Sequence, residues 1–358
     1  MGGLRPQVKG EAGVKRGCPY GSHRVIEPEG LLPQAATRLD NAMEIYDNEI
    51  LVDVATLNVD SASFKQMEVA AGGDAAKVGE MIMQTVAERG KQQNPVTGSG
   101  GVLIGTVAEV GPRAAEVHDV KPGDEIVTLV SLSMTPLALE RIVAVHPETD
   151  QVDVVGRAIL FEKTVFAKLP GDMPRNVALA VLDVAGAAPQ TERLVEPGMT
   201  VFVLGGGGKS GMLCCYAAKK RAGESGTVIG TGHSERSTSR LEATGLCDHV
   251  IQVDATRPLE VESRVRELTG GRMADVTINC VNIEGTEMAC ILATKPDGVV
   301  YFFSMATSFT RAALGAEGYG QDQTMLIGNG YAAGHAEKSL QIIRESEKMR
   351  KLFEELYA

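Results

Sequence analysis

The sequence predicts an α/β protein of two domains, a β-rich domain with few helices followed by a doubly wound parallel sheet. Three observations carry this expectation. From Thr200 onward, short apolar runs alternate with helical segments, the pattern of βαβ units. The first of those runs opens into a glycine-rich loop, GGGGKSG (205–211). The first half instead reads as strands with one inserted helix. The expected division is 1–170 and 171–330, with the last segment, 331–358, packing back toward the first domain.

In the first half, NEILVDVATLNV (48–59) and VLIGTVAEVG (102–111) read as strands. Between them Val78, Met81, Ile82 and Val86 repeat at helical spacing, with Asp74 as cap and Gly90 as stop. DEIVTLVSL and TVFAKLP complete the β-rich part. In the second half, TVFVL (200–204), TVIGTG (227–232), HVIQVD (249–254), DVTINCV (275–281) and GVVYFF (298–303) are five strands, and TMLIGNG (324–330) is a sixth. Runs so apolar are expected to be buried on both faces. A final helix over about 336–357 puts Leu340, Ile343, Met349, Leu352, Phe353 and Leu356 on one face, a packing stripe.

Composition excludes several classes. The chain has 358 residues, 44% hydrophobic and 23% charged, which is ordinary for a soluble globular protein. Its net charge of -11 and pI of 5.2 argue against nucleic-acid binding, which leaves a basic footprint. The same acidity fits a cationic substrate but is equally a solubility feature. The first residues lack the apolar core of a secretory signal, and no run is long enough to span a membrane, so a cytoplasmic location is expected. The six cysteines form no CxxC pair, which gives neither a disulfide framework nor a zinc cluster.

In the loop, Gly206, Gly208 and Gly211 satisfy GxGxxG. One glycine makes the turn, one admits a pyrophosphate, and one lets helix meet strand, with Lys209 and Ser210 at the helix start. A P-loop is excluded because it needs glycine where the chain has Val203. The loop therefore implies NAD or NADP. No acid precedes Glu235 at the end of the second strand, and Ser234 and Arg236 offer partners for a 2′-phosphate, which tilts the expectation to NADP. Ser234 serves equally as a helix cap.

EPGMTVFVLGGGGKSG, ELTGGRMADVTINCV and PDGVVYFFS resemble the medium-chain dehydrogenase/reductase superfamily, and VTGSGGVLIGTVAEVG with VKPGDEIV resembles its GroES-like catalytic domain. The resemblance implies a Rossmann domain, with Cys280 and Ser304 near the bound nicotinamide nucleotide. Zinc-containing members carry Gly-His-Glu where this chain has Gly98-Ser99-Gly100, and a cysteine near Asn58-Val59-Asp60-Ser61. Zinc-independent chemistry is therefore expected. Segments 17–41, 130–142 and 316–336 are similar to the zinc-independent dehydrogenases that oxidise a 3,5-diamino acid in lysine fermentation.

That likeness implies oxidation at a C3 amine, release of ammonia and a small diamino acid substrate, and a homodimer is expected. A neutral amine pushes out hydride with its own lone pair, so it needs a base and water and no Lewis acid. Asp60 and His23 are the candidate bases. Arg24, Ser61, Glu317, Tyr319 and Asn329 are candidates for binding substrate. The alternatives are a zinc-free quinone or enoyl-thioester reductase, and a cofactor-binding protein without activity.

Overall fold

The computed structural model describes residues 15–129, 131–328 and 330–358. The chain divides into two compact units at Leu169/Pro170. The first holds strands β1 (Val25–Glu27), β2 (Arg38–Leu39), β3 (Glu49–Asn58), β4 (Val102–Val110), β5 (Glu125–Thr128), β6 (Leu137–His146), β7 (Gln151–Phe161) and β8 (Phe166–Lys168). Its helices are α1 (Ser61–Ala70), α2 (Ala75–Arg89) and α3 (Pro112–Val117). Six strands form one sheet in the order β6-β7-β3-β4-β5-β8 with antiparallel pairing throughout. Alternate residues of β3 (Ile50, Val52, Val54) meet Ile82 and Val86 of α2 in the core. The α2 helix starts and stops where its sequence predicts. Asp74 accepts the N–H groups of Ala76 and Lys77, and Gly90 closes the helix at φ 67°.

The second unit comprises α4 (Arg175–Leu182), α5 (Ala187–Leu194), β9 (Thr200–Leu204), α6 (Lys209–Ala222), β10 (Thr227–Gly232), α7 (Glu235–Thr244) and β11 (His249–Gln252). It continues through α8 (Pro258–Thr269), β12 (Ala274–Asn279), α9 (Glu287–Ala293), β13 (Thr294–Phe302), α10 (Phe309–Gly318) and β14 (Thr324–Ile327). The strand order β11-β10-β9-β12-β13-β14, all parallel, is the doubly wound order that reverses between β9 and β12. Val201, Phe202, Val203 and Leu204 are fully buried, as a strand covered on both faces requires. Among the described residues no helix is long and apolar enough to cross a membrane.

The last segment differs from the single helix expected. It is two helices, α11 (His335–Glu345) and α12 (Glu347–Tyr357), because Ser346 adopts an extended backbone and caps α12 through Met349 N–H. It also packs within the second unit: α11 lies on α4, α5 and α6, and α12 on α4. The reason is its apolar face, where Leu340, Ile342, Ile343, Met349 and Phe353 are buried.

Candidate active site and cofactor site

The glycine loop joins β9 to α6 beside the point where the strand order reverses, where ligands bind in such sheets. Its shape depends on absent side chains. A Cβ on Gly211 would lie 2.1 Å from the Gly205 carbonyl oxygen, and one on Gly207 would lie 2.5 Å from Ser237 O. Gly205 N–H donates to Thr231 Oγ1 (2.8 Å) and Gly207 N–H to Thr231 O (3.2 Å), which holds the loop against β10. Gly208 caps α6 without a side chain, so the first N–H groups of Lys209, Ser210 and Gly211 remain for an anion. This cradle fits a dinucleotide pyrophosphate.

Lys209 Nζ pairs with Asp183 at 2.5 Å and lies 5.9 Å from the Tyr357 ring centroid. Ser234 caps α7 in a reciprocal capping box with Ser237, while Arg236 is exposed on the first turn. Arg240, one turn further, donates to Gly207 O at 3.3 Å and so stands at the loop itself. Nothing in the sequence singles it out, because a mid-helix arginine reads as a solvated face. Cys280 and Ser304 follow β12 and β13 on the same carboxyl edge. The Cys280 thiol turns back to Cys214 (3.8 Å), and that contact, with burial, pushes its pKa well up and keeps it protonated.

In the first unit His23 and Arg24 are committed to the fold. Cys18 N–H donates to His23 Nδ1 (2.9 Å), so the ring proton sits on Nε2 and is donated to Glu49 Oε1 (2.7 Å). Both ring nitrogens are thus engaged. Arg24, 1% exposed, donates through Nε and Nη2 to the two oxygens of Glu49 and also to the carbonyls of Ala42 and Glu44. Burial raises the Glu49 pKa, but hydrogen bonds from His23, Arg24 and Tyr46 N–H outweigh it and hold the carboxyl below its ordinary range. The structure thus places His23 and Arg24, expected as base and substrate-binding group, together on the Glu49 carboxylate.

Asp60 follows β3, and Ser61 opens α1, whose Ser63 N–H donates to Asp60 Oδ1 at 3.4 Å. The loop 91–101 crowds this strand end: a Cβ on Gly101 would lie 2.8 Å from Asp60 N, and one on Gly100 would lie 2.7 Å from Ser133 N. Lys91 fastens the neighbourhood, donating to the carbonyls of Pro33 (2.7 Å), Gln34 (3.3 Å) and Ser133 (2.7 Å). Burial, with a smaller part from Arg89, lowers its pKa from 10.5 to about 8. Between those two values the unfolded chain holds more protons than the folded one, so this group makes stability rise with pH across that window. Lys91→Met is expected to lose that rise in urea titrations at the two ends of the window, and an unchanged slope would contradict it.

Glu317 and Tyr319 lie at the other end of the parallel sheet. Both are exposed and precede β14, on its amino-terminal side, whereas the glycine loop leaves the carboxyl ends. This removes them from the cofactor edge. Asn329 lies outside the described residues. Zinc does not fit the first unit: the strand end and loop that carry its ligands in zinc members offer Asp60 with Asn94, Thr97 and Ser99, mostly neutral oxygen donors with no His or Cys. Among the described residues no three His, Cys, Asp or Glu side chains are grouped to hold a metal.

A β-rich antiparallel domain followed by a Rossmann domain with this glycine loop defines a medium-chain dehydrogenase/reductase. The profile of the L-erythro-3,5-diaminohexanoate dehydrogenase N-terminal domain matches residues 23–170, and that of the zinc-binding dehydrogenases matches 211–317. L-erythro-3,5-diaminohexanoate dehydrogenase of Acetoanaerobium sticklandii is 55% identical over 342 residues, covering 96% of this chain and 99% of the relative. That of Fusobacterium nucleatum is 53% identical over 344 residues, covering 96% and 100%. The chain belongs to the L-erythro-3,5-diaminohexanoate dehydrogenase family. Among solved structures, mycobacterial Rv1454c complexed with NADPH superposes with a TM-score of 0.55 at 20% identity, covering 88% of this chain and 86% of that one, a likeness of fold.

Proposed function

We propose that the protein oxidatively deaminates L-erythro-3,5-diaminohexanoate to 5-amino-3-oxohexanoate and ammonia with reduction of NAD(P)+. The observation that carries this is identity above one half with two such dehydrogenases over almost the whole of each chain. A nicotinamide held at the glycine loop would supply the hydride acceptor for C3. The chain's own task is to neutralise the C3 ammonium, hold the second ammonium and the carboxylate, and admit one water to the imine.

Asp60 and the start of α1 at Ser61 are the part of the first unit we assign to substrate, with the Asp60 carboxylate facing a substrate ammonium. Asp60→Asn is expected to raise KM for the diamino acid about tenfold, the scale of one charge-assisted hydrogen bond, with cofactor affinity unchanged. An unaltered KM would move the substrate site elsewhere. The reaction is taken as zinc-independent, since an amine lone pair supplies the push that an alcohol obtains from a metal.

NADP is the favoured cofactor. Arg240 reaches the glycine loop from α7, Arg236 is exposed on the first turn of the same helix, and β10 ends without an acid to hold ribose hydroxyls. Substituting both with alanine is expected to weaken NADPH binding at least tenfold and leave NADH binding within about twofold. Equal loss for both would contradict the assignment. A homodimer is proposed from the exposed Met305 (80%) and Phe309 (69%) in the unit whose sheet ends at edge strand β14.

The test is a steady-state assay following reduced nicotinamide. The reading predicts reduction of NAD(P)+ with the 3,5-diamino acid and no oxidation of NADPH by quinones or enoyl thioesters. The opposite pattern would make the protein a reductase of the same fold.

A further inference from the structure

Three hydrogen-bond donors stand beside the glycine loop: the ammonium of Lys209, the guanidinium of Arg240 and the hydroxyl of Tyr357. Helix packing brings the third of them there. The α12 helix lies on α4, buries Met349 and Phe353, and carries Tyr357 one turn beyond Phe353, with the two ring centroids 5.4 Å apart. Asp183 closes α4, and its carboxylate pairs with Lys209 at 2.5 Å. Lys209 is the first residue of α6, and its Nζ lies 5.9 Å from the Tyr357 ring centroid. From α7, Arg240 Nη1 donates to Gly207 O at 3.3 Å. Gly208, between Gly207 and Lys209, is exposed, so the lip of the loop is open.

The Tyr357 hydroxyl makes no hydrogen bond among the described residues, although the residue is half-buried. Tyrosines that leave solvent ordinarily satisfy that group. The charged side chains that bear on it are Lys209, Arg240 and Asp183. Burial pushes the phenol up and outweighs the pull of the two cations, so it stays protonated and able to donate. Lysine and arginine are donors with no acceptor capacity. Three donors therefore meet at the lip, with the first N–H groups of α6 beside them, and the one carboxylate near them is already paired with Lys209. Such a surplus of donors calls for an anionic acceptor with several oxygens, which is the chemistry of a phosphate.

We propose that Tyr357 is a cofactor-binding residue, donating its hydroxyl hydrogen to a pyrophosphate oxygen of the dinucleotide held at the glycine loop. Its ring keeps the Lys209 ammonium at the lip, where Asp183 and the pyrophosphate share it. The last turn of α12, which in the sequence is only a packing stripe, thereby becomes one wall of the cofactor site. The pyrophosphate is common to NAD and NADP, so Tyr357 strengthens the binding of both, whereas Arg236 and Arg240 are assigned to the 2′-phosphate alone. The inference rests on the reading of the glycine loop as the site of a nicotinamide dinucleotide.

Tyr357→Phe tests this, because it removes the hydroxyl and keeps the ring beside Lys209 and Phe353. The expected result is about tenfold weaker binding of both NADPH and NADH in fluorescence titrations, the scale of one charge-assisted hydrogen bond. The melting temperature of the unliganded protein should stay within about 2 °C of the parent. Unchanged dissociation constants for both cofactors would overturn the assignment. So would a loss confined to NADPH, which would place the hydroxyl at the 2′-phosphate. Weaker binding accompanied by a larger fall in melting temperature would make Tyr357 a packing residue, and that too would overturn it. If the parent binds neither NADPH nor NADH, the reading of the loop fails; if the parent binds them and Tyr357→Phe binds as tightly, the role of Tyr357 alone fails.

Discussion

Gly211→Val should bind NADPH at least about 100-fold more weakly than the parent, equivalent to about 2.7 kcal/mol. A Cβ there would sit 2.1 Å from the Gly205 carbonyl oxygen and 2.7 Å from Gly206 Cα, both backbone atoms that no rotamer change can clear. The loop would have to open, carrying the first N–H groups of α6 away from the pyrophosphate. Gly171→Ala is the matched control, because a Cβ at Gly171 meets nothing within 4 Å. Fluorescence titration reads the difference, and a Gly211→Val dissociation constant within threefold of the parent would show that the cradle is not the cofactor site.

The second large effect belongs to the fold of the first unit. Arg24→Ala is expected to cost about 3–5 kcal/mol of unfolding free energy, because it strands a buried carboxylate. Glu49 would keep the His23 and Tyr46 hydrogen bonds but lose both guanidinium contacts, 2.9 and 2.7 Å long. The double variant Arg24→Met/Glu49→Leu should lose much less than the two single losses added, since neither charge is then left alone. The pH dependence follows from the lowered Glu49 pKa. The pair's contribution is complete above the ordinary glutamate range and is lost as pH falls through the lower folded value. Denaturant titrations should therefore show the parent losing stability toward acid and the double variant losing less. Equal acid slopes would contradict a stabilising role for the ionised pair.

Much of the second unit was legible because its strands are apolar on both faces, and β9 to β13 lie where the runs predict them. The α2 helix was legible through its cap and stop. The long hairpin of β6 and β7 was not: β6 is an edge strand with exposed Glu140, Arg141 and Val143, and in β7 the pair Val155-Gly156 blurs in sequence an alternation that the burial of Gln151–Ala158 follows. The break at Ser346 was hidden because a serine that caps one helix looks like an ordinary residue inside a longer one. The site was legible only where a local motif encodes it, as in the glycine loop. Arg24 and Glu49 are 25 positions apart and Arg240 reaches a loop 33 positions away, so their roles exist only after folding. For the same reason the link of His23 to Glu49, 26 positions away, is invisible in the sequence.

The most direct measurement is the ratio of ammonium released to nicotinamide reduced when the protein is incubated with L-erythro-3,5-diaminohexanoate and NADP+ or NAD+. Deamination at C3 predicts one ammonium for each reduced cofactor, with 5-amino-3-oxohexanoate as the organic product. Reduction without ammonium, or no reduction with the diamino acid, would contradict it.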